Sequence, residues 1–201
     1  MQENKSAQRI MNVPNVLSLI RMVLVPVFMA SILYMTGRFG VWGYLIPALI
    51  FALTSFTDML DGKIARKHGL ITDFGKFIDP LADKFMIFGA LISLLTASVY
   101  ADIRGILVWV AAVVMLRELG VTSLRLVVAS RGVVVPASWW GKIKTVTQIL
   151  AVITLIVEPA IPYFGENRIA SYAALALMAV TTVGSGISYL RALWPYVAGK
   201  K

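Results

Sequence analysis

Six apolar segments, separated by short polar breaks, run through the 201-residue chain. They cover residues 15–36, 41–66, 75–98, 105–131, 138–158 and 168–194. Each segment approaches or exceeds the ~20 residues that a helix needs to cross about 30 Å of hydrocarbon. The segments lack the alternation of barrel strands, and a backbone in lipid must pair its own polar groups. The pattern therefore predicts six transmembrane helices.

The composition agrees with a membrane location. The chain is 59% hydrophobic and only 14% charged, with a mean hydropathy of +0.81, whereas a soluble domain carries about 25% charged residues. We therefore predict an all-α integral membrane protein. A polar N-terminal segment, 1–14, precedes a single six-helix domain over 15–201. Cysteine is absent, so no disulfide framework is expected.

The basic residues predict the orientation. Of the 19 Lys and Arg residues, 16 fall at one end of the six segments, which leaves Arg38, Arg104 and Arg168 for the other end. The positive-inside rule places the basic end, with both termini, in the cytoplasm. The expected location is the inner (cytoplasmic) membrane, with the chain crossing several times. This placement accounts for the net charge of +9 without a nucleic-acid partner.

Four aspartates lie between the second and third segments, at the predicted cytoplasmic boundary. Asp58 and Asp61 are three residues apart, and Asp79 and Asp83 are four apart, so each pair shares one helix face. Unpaired carboxylates so close together would repel one another and take up protons. Divalent cations relieve that repulsion, and oxygen ligands favour Mg²⁺, Mn²⁺ or Ca²⁺ over zinc. The alternative is that the acids only pair with nearby lysines and arginines.

Structural rather than catalytic roles are expected for two residues near these aspartates in the sequence. Asp73 precedes the third segment, where a helix cap is the expected role. His68 is the only histidine of the chain and lies beside Gly69, where we expect a solvated loop residue.

A second cluster, of basic residues, borders the predicted loop between the fourth and fifth segments. Arg117, Arg125 and Lys142 suit a phosphate group, because arginine forks and a lysine point charge both bind phosphate. The alternative is a charge girdle of the inner face with a pair between Arg117 and Glu118. Arg21 also lies inside an apolar segment and either reaches the interface or points into the bundle.

The spacing of the aspartate stretch resembles the signature of the CDP-alcohol phosphotransferases. Every signature position is filled, by Asp58, Asp61, Gly62, Ala65, Arg66, Gly75, Asp79 and Asp83. The size of the chain and the number of segments also fit that family. The segments around Asn12–Arg21, Arg117–Arg125 and Gly141–Gln148 are similar to the bacterial subfamily that makes phosphatidylglycerophosphate.

The resemblance implies a reaction in which CDP-diacylglycerol and sn-glycerol 3-phosphate give phosphatidylglycerophosphate and CMP. It implies two Mg²⁺ or Mn²⁺ ions, membrane lipids as surroundings and a homodimer. The roles transfer by position as follows. The metal ligands would be Asp58, Asp61 and Asp79, with Asp83 as a further ligand and the catalytic base. CDP-diacylglycerol would be bound by Gly62, Ala65, Arg66 and Gly75. Glycerol 3-phosphate would be bound by Arg117, Arg125, Lys142 and Lys144.

Two alternatives remain open at this point. Within the family, the acceptor could instead be phosphatidylglycerol, as in a cardiolipin synthase, or inositol phosphate or serine. Outside it, a divalent-cation transporter would also need intramembrane acids. A transporter predicts acids near the middle of the membrane and two repeated halves, whereas these acids cluster at one boundary and no repeat is visible.

Overall fold

The computed structural model describes the backbone of residues 13–68, 73–130, 133 and 138–198. The side chains of residues 13–14, 58–68, 73, 76 and 163–165 lie outside this description. The regular structure of the described residues is helical throughout. Six long helices are α1 Val13–Met35, α2 Trp42–His68, α3 Asp73–Thr96, α4 Arg104–Ala129, α5 Trp139–Val157 and α7 Ile169–Val197, with a short α6 at Pro162–Asn167.

These helices confirm an all-α membrane protein with several spans. Four described segments are long and apolar enough to cross a membrane: Asn15–Met35, Arg104–Ala129, Trp139–Ala160 and Ile169–Val197. The first part of α2, Trp42–Thr57, is a shorter apolar helix. Large apolar side chains face outward, as with Trp109 at 74% and Leu116 at 77% exposure. An exterior of this kind matches hydrocarbon rather than water.

The helices pack in two groups that share one core. α1 lies against both α2 and α3, and α7 lies against α4 and α5, while α2 also contacts α5. Phe28 of α1 and Phe51 of α2 are buried with their ring centroids 5.3 Å apart. A Cβ on Gly89 of α3 would lie only 2.8 Å from Val25 Cγ1 of α1. A glycine at this position therefore allows the close approach of α1 and α3.

Three boundaries differ from the sequence-based expectation. His68, expected in a loop, is the last residue of α2. α7 continues past residue 194, through Pro195, to Val197. The break at 159–167 is ordered rather than an open loop, because buried Glu158 accepts hydrogen bonds from the backbone N–H groups of Ala170 and Ser171 at the start of α7.

A cluster around Arg168 stabilises one end of the helical bundle. At the end opposite the four aspartates, Arg168 precedes α7 in a left-handed backbone conformation, with φ at 53°. Its Nε lies 2.8 Å from Asp102 Oδ2. Its guanidinium carbon lies over the ring of Tyr100, 5.6 Å from the ring centroid. Burial raises the pKa of Tyr100 above its usual range. These contacts lie at the end of the bundle away from the predicted site.

Candidate functional site

The two described aspartates of the signature lie on α3, where each contacts a side chain of α1. Asp79 Oδ1 accepts a hydrogen bond from Ser18 Oγ. One turn further along α3, Asp83 Oδ1 lies 3.3 Å from Nη1 of Arg21. The Arg21 side chain is completely buried, while that of Asp83 is 53% exposed. Arg21 therefore points into the bundle instead of extending to the membrane surface.

A cavity of about 510 Å³ opens beside these acids, between α3, α4 and α7. Its polar lining contains three acidic and three basic side chains, Asp79, Asp83, Glu118, Lys84, Arg117 and Arg125. The aspartates come from α3 and the arginines from α4. Lys84 also belongs to α3 and Glu118 to α4, so carboxylates are in excess on the α3 wall and guanidinium groups on the α4 wall. Val121, Leu126 and Leu193 supply part of its apolar lining.

Arg117 is held by three neighbours. Its Nη1 lies 3.1 Å from Glu118 Oε1, and its Nη2 donates to Ser185 Oγ of α7 at 2.5 Å. Its guanidinium carbon lies 5.4 Å from the centroid of the Tyr189 ring. The guanidinium carbon of Arg125 lies 6.0 Å from the same centroid. Both arginines therefore meet at one aromatic side chain of α7.

Lys144 lies behind this arrangement. It is buried on α5, and its Nζ donates to Glu118 Oε1. A second cavity of about 70 Å³ has both Asp83 and Lys144 in its lining. Lys142 differs, because it is exposed, its Nζ lies 6.0 Å from the Trp139 ring, and it is absent from the lining of both cavities.

Several predicted site residues fall outside the described side chains. Asp58, Asp61, Gly62, Ala65 and Arg66 belong to the last part of α2, where the backbone is helical. Asp73, the predicted cap, starts α3, but its side chain is also outside the description. Gly75 is buried in the first turn of α3.

The described carboxylates fit the donor chemistry that a hard divalent cation requires. Asp79 keeps accepting capacity beyond its bond to Ser18, since an ionised carboxylate offers about four lone-pair positions. Asp83 is half exposed at the cavity. No group of three acidic or histidine side chains lies together among the described residues, and two of the four predicted ligands are outside that set.

The structure brings four further residues to the site, of which the sequence analysis gave a role only to Glu118, as the alternative partner of Arg117. Ser18 contacts Asp79, Glu118 joins Arg117 to Lys144, and Ser185 and Tyr189 hold Arg117. Glu118 carried a usable signal, because an acid inside an apolar segment needs a partner there. Ser185 and Tyr189 carried none, since the final segment contains several other hydroxyl-bearing residues and nothing distinguishes these two.

Comparison with known proteins agrees with the signature. A family model described as CDP-alcohol phosphatidyltransferase matches residues 11–184. A probable phosphatidylglycerophosphate synthase of Mycobacterium tuberculosis is 41% identical over 182 residues, covering 90% of this chain and 81% of that protein. The CDP-diacylglycerol–glycerol-3-phosphate 3-phosphatidyltransferases of Bacillus subtilis and Pseudomonas fluorescens are 42% and 35% identical over 193 residues each. These alignments cover 91% and 93% of this chain, and 95% and 92% of the respective relatives. The chain belongs to the CDP-alcohol phosphatidyltransferase family.

Proposed function

We propose that this protein transfers the phosphatidyl group of CDP-diacylglycerol to sn-glycerol 3-phosphate, giving phosphatidylglycerophosphate and CMP. The observation that carries the proposal is the single cavity that joins Asp79 and Asp83 on one wall to Arg117 and Arg125 on the other. The names of the relatives specify the same donor and acceptor. Phospholipid biosynthesis is the process in which such an enzyme works.

The register of α2 and α3 supports a four-carboxylate metal site. Ser55 Oγ of α2 lies 3.6 Å from Met86 Sδ of α3. α1 runs parallel to α3, as the contacts of Ser18 with Asp79 and Arg21 with Asp83 show, and the short turn after α1 makes α2 antiparallel to both. One turn from the Ser55–Met86 contact, position 58 is level with Asp83, and a second turn brings position 61 towards the level of Asp79.

We assign Asp58, Asp61, Asp79 and Asp83 as ligands of two Mg²⁺ or Mn²⁺ ions. When bound, such cations neutralise the pyrophosphate of CDP-diacylglycerol and stabilise the departing CMP. Asp79 and Asp83 contribute carboxylate oxygens from one face of α3. Ser18 holds Asp79 through its hydroxyl, so the carboxylate is oriented before any substrate arrives.

Asp83 is also the proposed catalytic base. Its carboxylate takes the proton of the glycerol 3-phosphate hydroxyl, whose oxygen then forms a bond to the phosphorus attached to diacylglycerol. The bond from that phosphorus to the CMP oxygen breaks, and CMP leaves with the electron pair. Arg21 Nη1, 3.3 Å from Asp83 Oδ1, holds this carboxylate in position at the cavity.

The acceptor phosphate is assigned to the arginine wall. Arg125 and Arg117 face the cavity, and Lys144 adds positive charge from behind Glu118. Lys142 was also predicted for this site from the sequence pattern, but it lies outside the cavity lining. Its contribution to binding of the acceptor phosphate can therefore be tested separately from that of Arg125. A phosphate-free acceptor would have no use for this wall. For the donor, Gly62, Ala65, Arg66 and Gly75 are the proposed contacts of the cytidine nucleotide.

The proposed arrangement in the membrane follows from the charges. All six long helices would cross the bilayer with both termini in the cytoplasm, and the cavity would face the cytoplasm. The acyl chains then stay in the bilayer, while glycerol 3-phosphate arrives from water and CMP departs into it. A homodimer is the proposed assembly, as the family resemblance implies.

A panel of acceptors tests the proposed function. Purified protein receives CDP-diacylglycerol, Mg²⁺ and one alcohol, and CMP release is followed. Release with glycerol 3-phosphate is expected, and its loss on chelation of the metal should be reversed by Mg²⁺ or Mn²⁺. Release with serine, inositol phosphate or phosphatidylglycerol, but not with glycerol 3-phosphate, would assign another acceptor. If none of the alcohols in the panel gives CMP release, the protein is not a transferase of this kind.

A further inference from the structure

We infer that Tyr189 of α7 is a positioning residue that sets the preference for a phosphorylated acceptor, by holding Arg117 and Arg125 together at the cavity. The inference rests on the proposed function, because it concerns the acceptor half of the same site. Tyr189 lines the cavity and is only 5% exposed. Neither the family signature nor the basic cluster includes it.

The two arginines are far apart along their helix. Eight residues separate Arg117 from Arg125, which is about 12 Å along the axis of α4. Their guanidinium carbons nevertheless lie 5.4 Å and 6.0 Å from one ring centroid of Tyr189. Both distances are within the range of about 6 Å for attraction between a cation and an aromatic ring. One ring thus contacts both arginines, although they lie about two turns apart on α4.

The hydroxyl of Tyr189 fixes the ring itself. Tyr189 Oη accepts a hydrogen bond of 2.9 Å from the backbone N–H of Ser138, the residue that caps α5. A Cβ on Gly141, in the first turn of α5, would lie 3.1 Å from that oxygen and 3.3 Å from a ring carbon. The start of α5 is therefore shaped to let Tyr189 approach, and the ring cannot move far.

Arg117 is immobilised before a substrate binds. Its two terminal nitrogens already donate to Glu118 and Ser185, in addition to the ring contact. Arg117 and Tyr189 thus form the rigid part of the acceptor site, and Tyr189 fixes the position of the second cation, Arg125. Two cations prepositioned in this way favour a dianion such as a phosphate monoester, because little ordering is left for the moment of binding. An uncharged alcohol gains nothing from them.

The test compares three substitutions with wild type. Tyr189→Leu removes the ring, Tyr189→Phe removes only the hydroxyl, and Gly141→Ala keeps the ring but crowds it. Tyr172→Leu is the matched control, since Tyr172 lies on the same helix at its opposite end and is 41% exposed. For each purified protein we would measure thermal unfolding, KM for glycerol 3-phosphate, KM for CDP-diacylglycerol, and CMP release with glycerol in place of glycerol 3-phosphate.

Tyr189→Leu is expected to raise KM for glycerol 3-phosphate about tenfold, as the loss of two cation–ring contacts implies. Its KM for CDP-diacylglycerol and its rate with glycerol should stay within about twofold of wild type, on the same reasoning. Tyr189→Phe, which keeps the ring but loses its hydrogen bond to Ser138, and Gly141→Ala, which crowds the ring, should both fall between wild type and Tyr189→Leu. A purely structural role of Tyr189 would lower the rates with both acceptors equally.

The outcomes separate this inference from the proposed function. Wild type that releases no CMP with glycerol 3-phosphate refutes the proposed function, and the inference with it. Active wild type with an unchanged KM in folded Tyr189→Leu refutes the inference alone. If Tyr189→Leu does not fold, Gly141→Ala decides, because an unchanged KM in that variant, with the ring displaced, also contradicts the positioning role.

Discussion

Arg21 of α1 and Asp83 of α3 form an ion pair in which the cation is completely buried and the carboxylate is half exposed. Their closest atoms, Arg21 Nη1 and Asp83 Oδ1, lie 3.3 Å apart. The protein therefore buries the cation of the pair and exposes the carboxylate that is proposed as the catalytic base. This asymmetry has consequences for both stability and turnover.

Replacing the two partners should destabilise the protein unequally. Asp83→Asn leaves the buried Arg21 charge without the carboxylate, which should cost up to about 3 kcal/mol of unfolding free energy. Arg21→Met removes the buried charge itself and leaves Asp83 in contact with water, so the loss should be smaller. Thermal unfolding of both variants in the same detergent and Mg²⁺ concentration measures the difference. A greater loss for Arg21→Met would contradict this account of the pair.

Asp83→Asn should also separate turnover from donor binding. If Asp83 takes the proton of the acceptor hydroxyl, kcat should fall by about 100-fold or more, as is typical when a general base is lost. CDP-diacylglycerol should still bind, because three other aspartates remain. Titration with CDP-diacylglycerol and CMP release together give the answer, with Asp102→Asn at the opposite end of the bundle as the control. An equal loss of binding and turnover would argue against the base role.

Arg125 and Lys142 should differ sharply as contributors to acceptor binding. Arg125→Ala is expected to raise KM for glycerol 3-phosphate about tenfold or more, the effect of losing one charge-assisted hydrogen bond. Lys142→Ala should change the same KM less than about twofold, because Lys142 is exposed and contacts Trp139 outside the cavity lining. Initial rates at varied glycerol 3-phosphate provide the comparison. Equal effects would place Lys142 in the phosphate site after all.

Glu118 and Lys144 should behave as a coupled buried pair. Glu118→Gln leaves the ammonium group of Lys144 without its counter-charge, and a loss of about 3 kcal/mol in unfolding free energy is expected. Adding Lys144→Met to that variant should recover part of the loss, because the ammonium charge is then gone while Arg117 still lacks its contact with the Glu118 carboxylate. A double-mutant cycle of thermal unfolding measures the coupling. Additive effects of the two substitutions would show that the pair contributes little.

Much of the fold could be predicted from residue patterns. Each of the six apolar segments corresponds to one long helix, because a run of about 20 apolar residues has few other options in lipid. The connection before α7 was not predictable in detail. Its order depends on Glu158, which caps α7 from a distance, and on Arg168, whose backbone adopts a left-handed conformation.

The site also contains residues that could be predicted from the sequence and residues that could not. The aspartates on α3 and the arginines on α4 carried their own signals, since charged groups in apolar segments need partners. Which partners they find depends on how distant helices pack. Ser18, Ser185 and Tyr189 reach the site only because α1 and α7 bring them there. No spacing rule within one helix connects residues 60 or more positions apart.

If one cavity receives CDP-diacylglycerol and glycerol 3-phosphate together, neither substrate should react without the other. Supplying both substrates and Mg²⁺ to the purified protein, and measuring CMP and phosphatidylglycerophosphate in the same reaction, tests this coupling. The account predicts that the two products appear in equal amounts, that omitting either substrate stops both, and that Asp83→Asn and Arg125→Ala each slow both. CMP release that continues at the wild-type rate without glycerol 3-phosphate, or without phosphatidylglycerophosphate being formed, would contradict it.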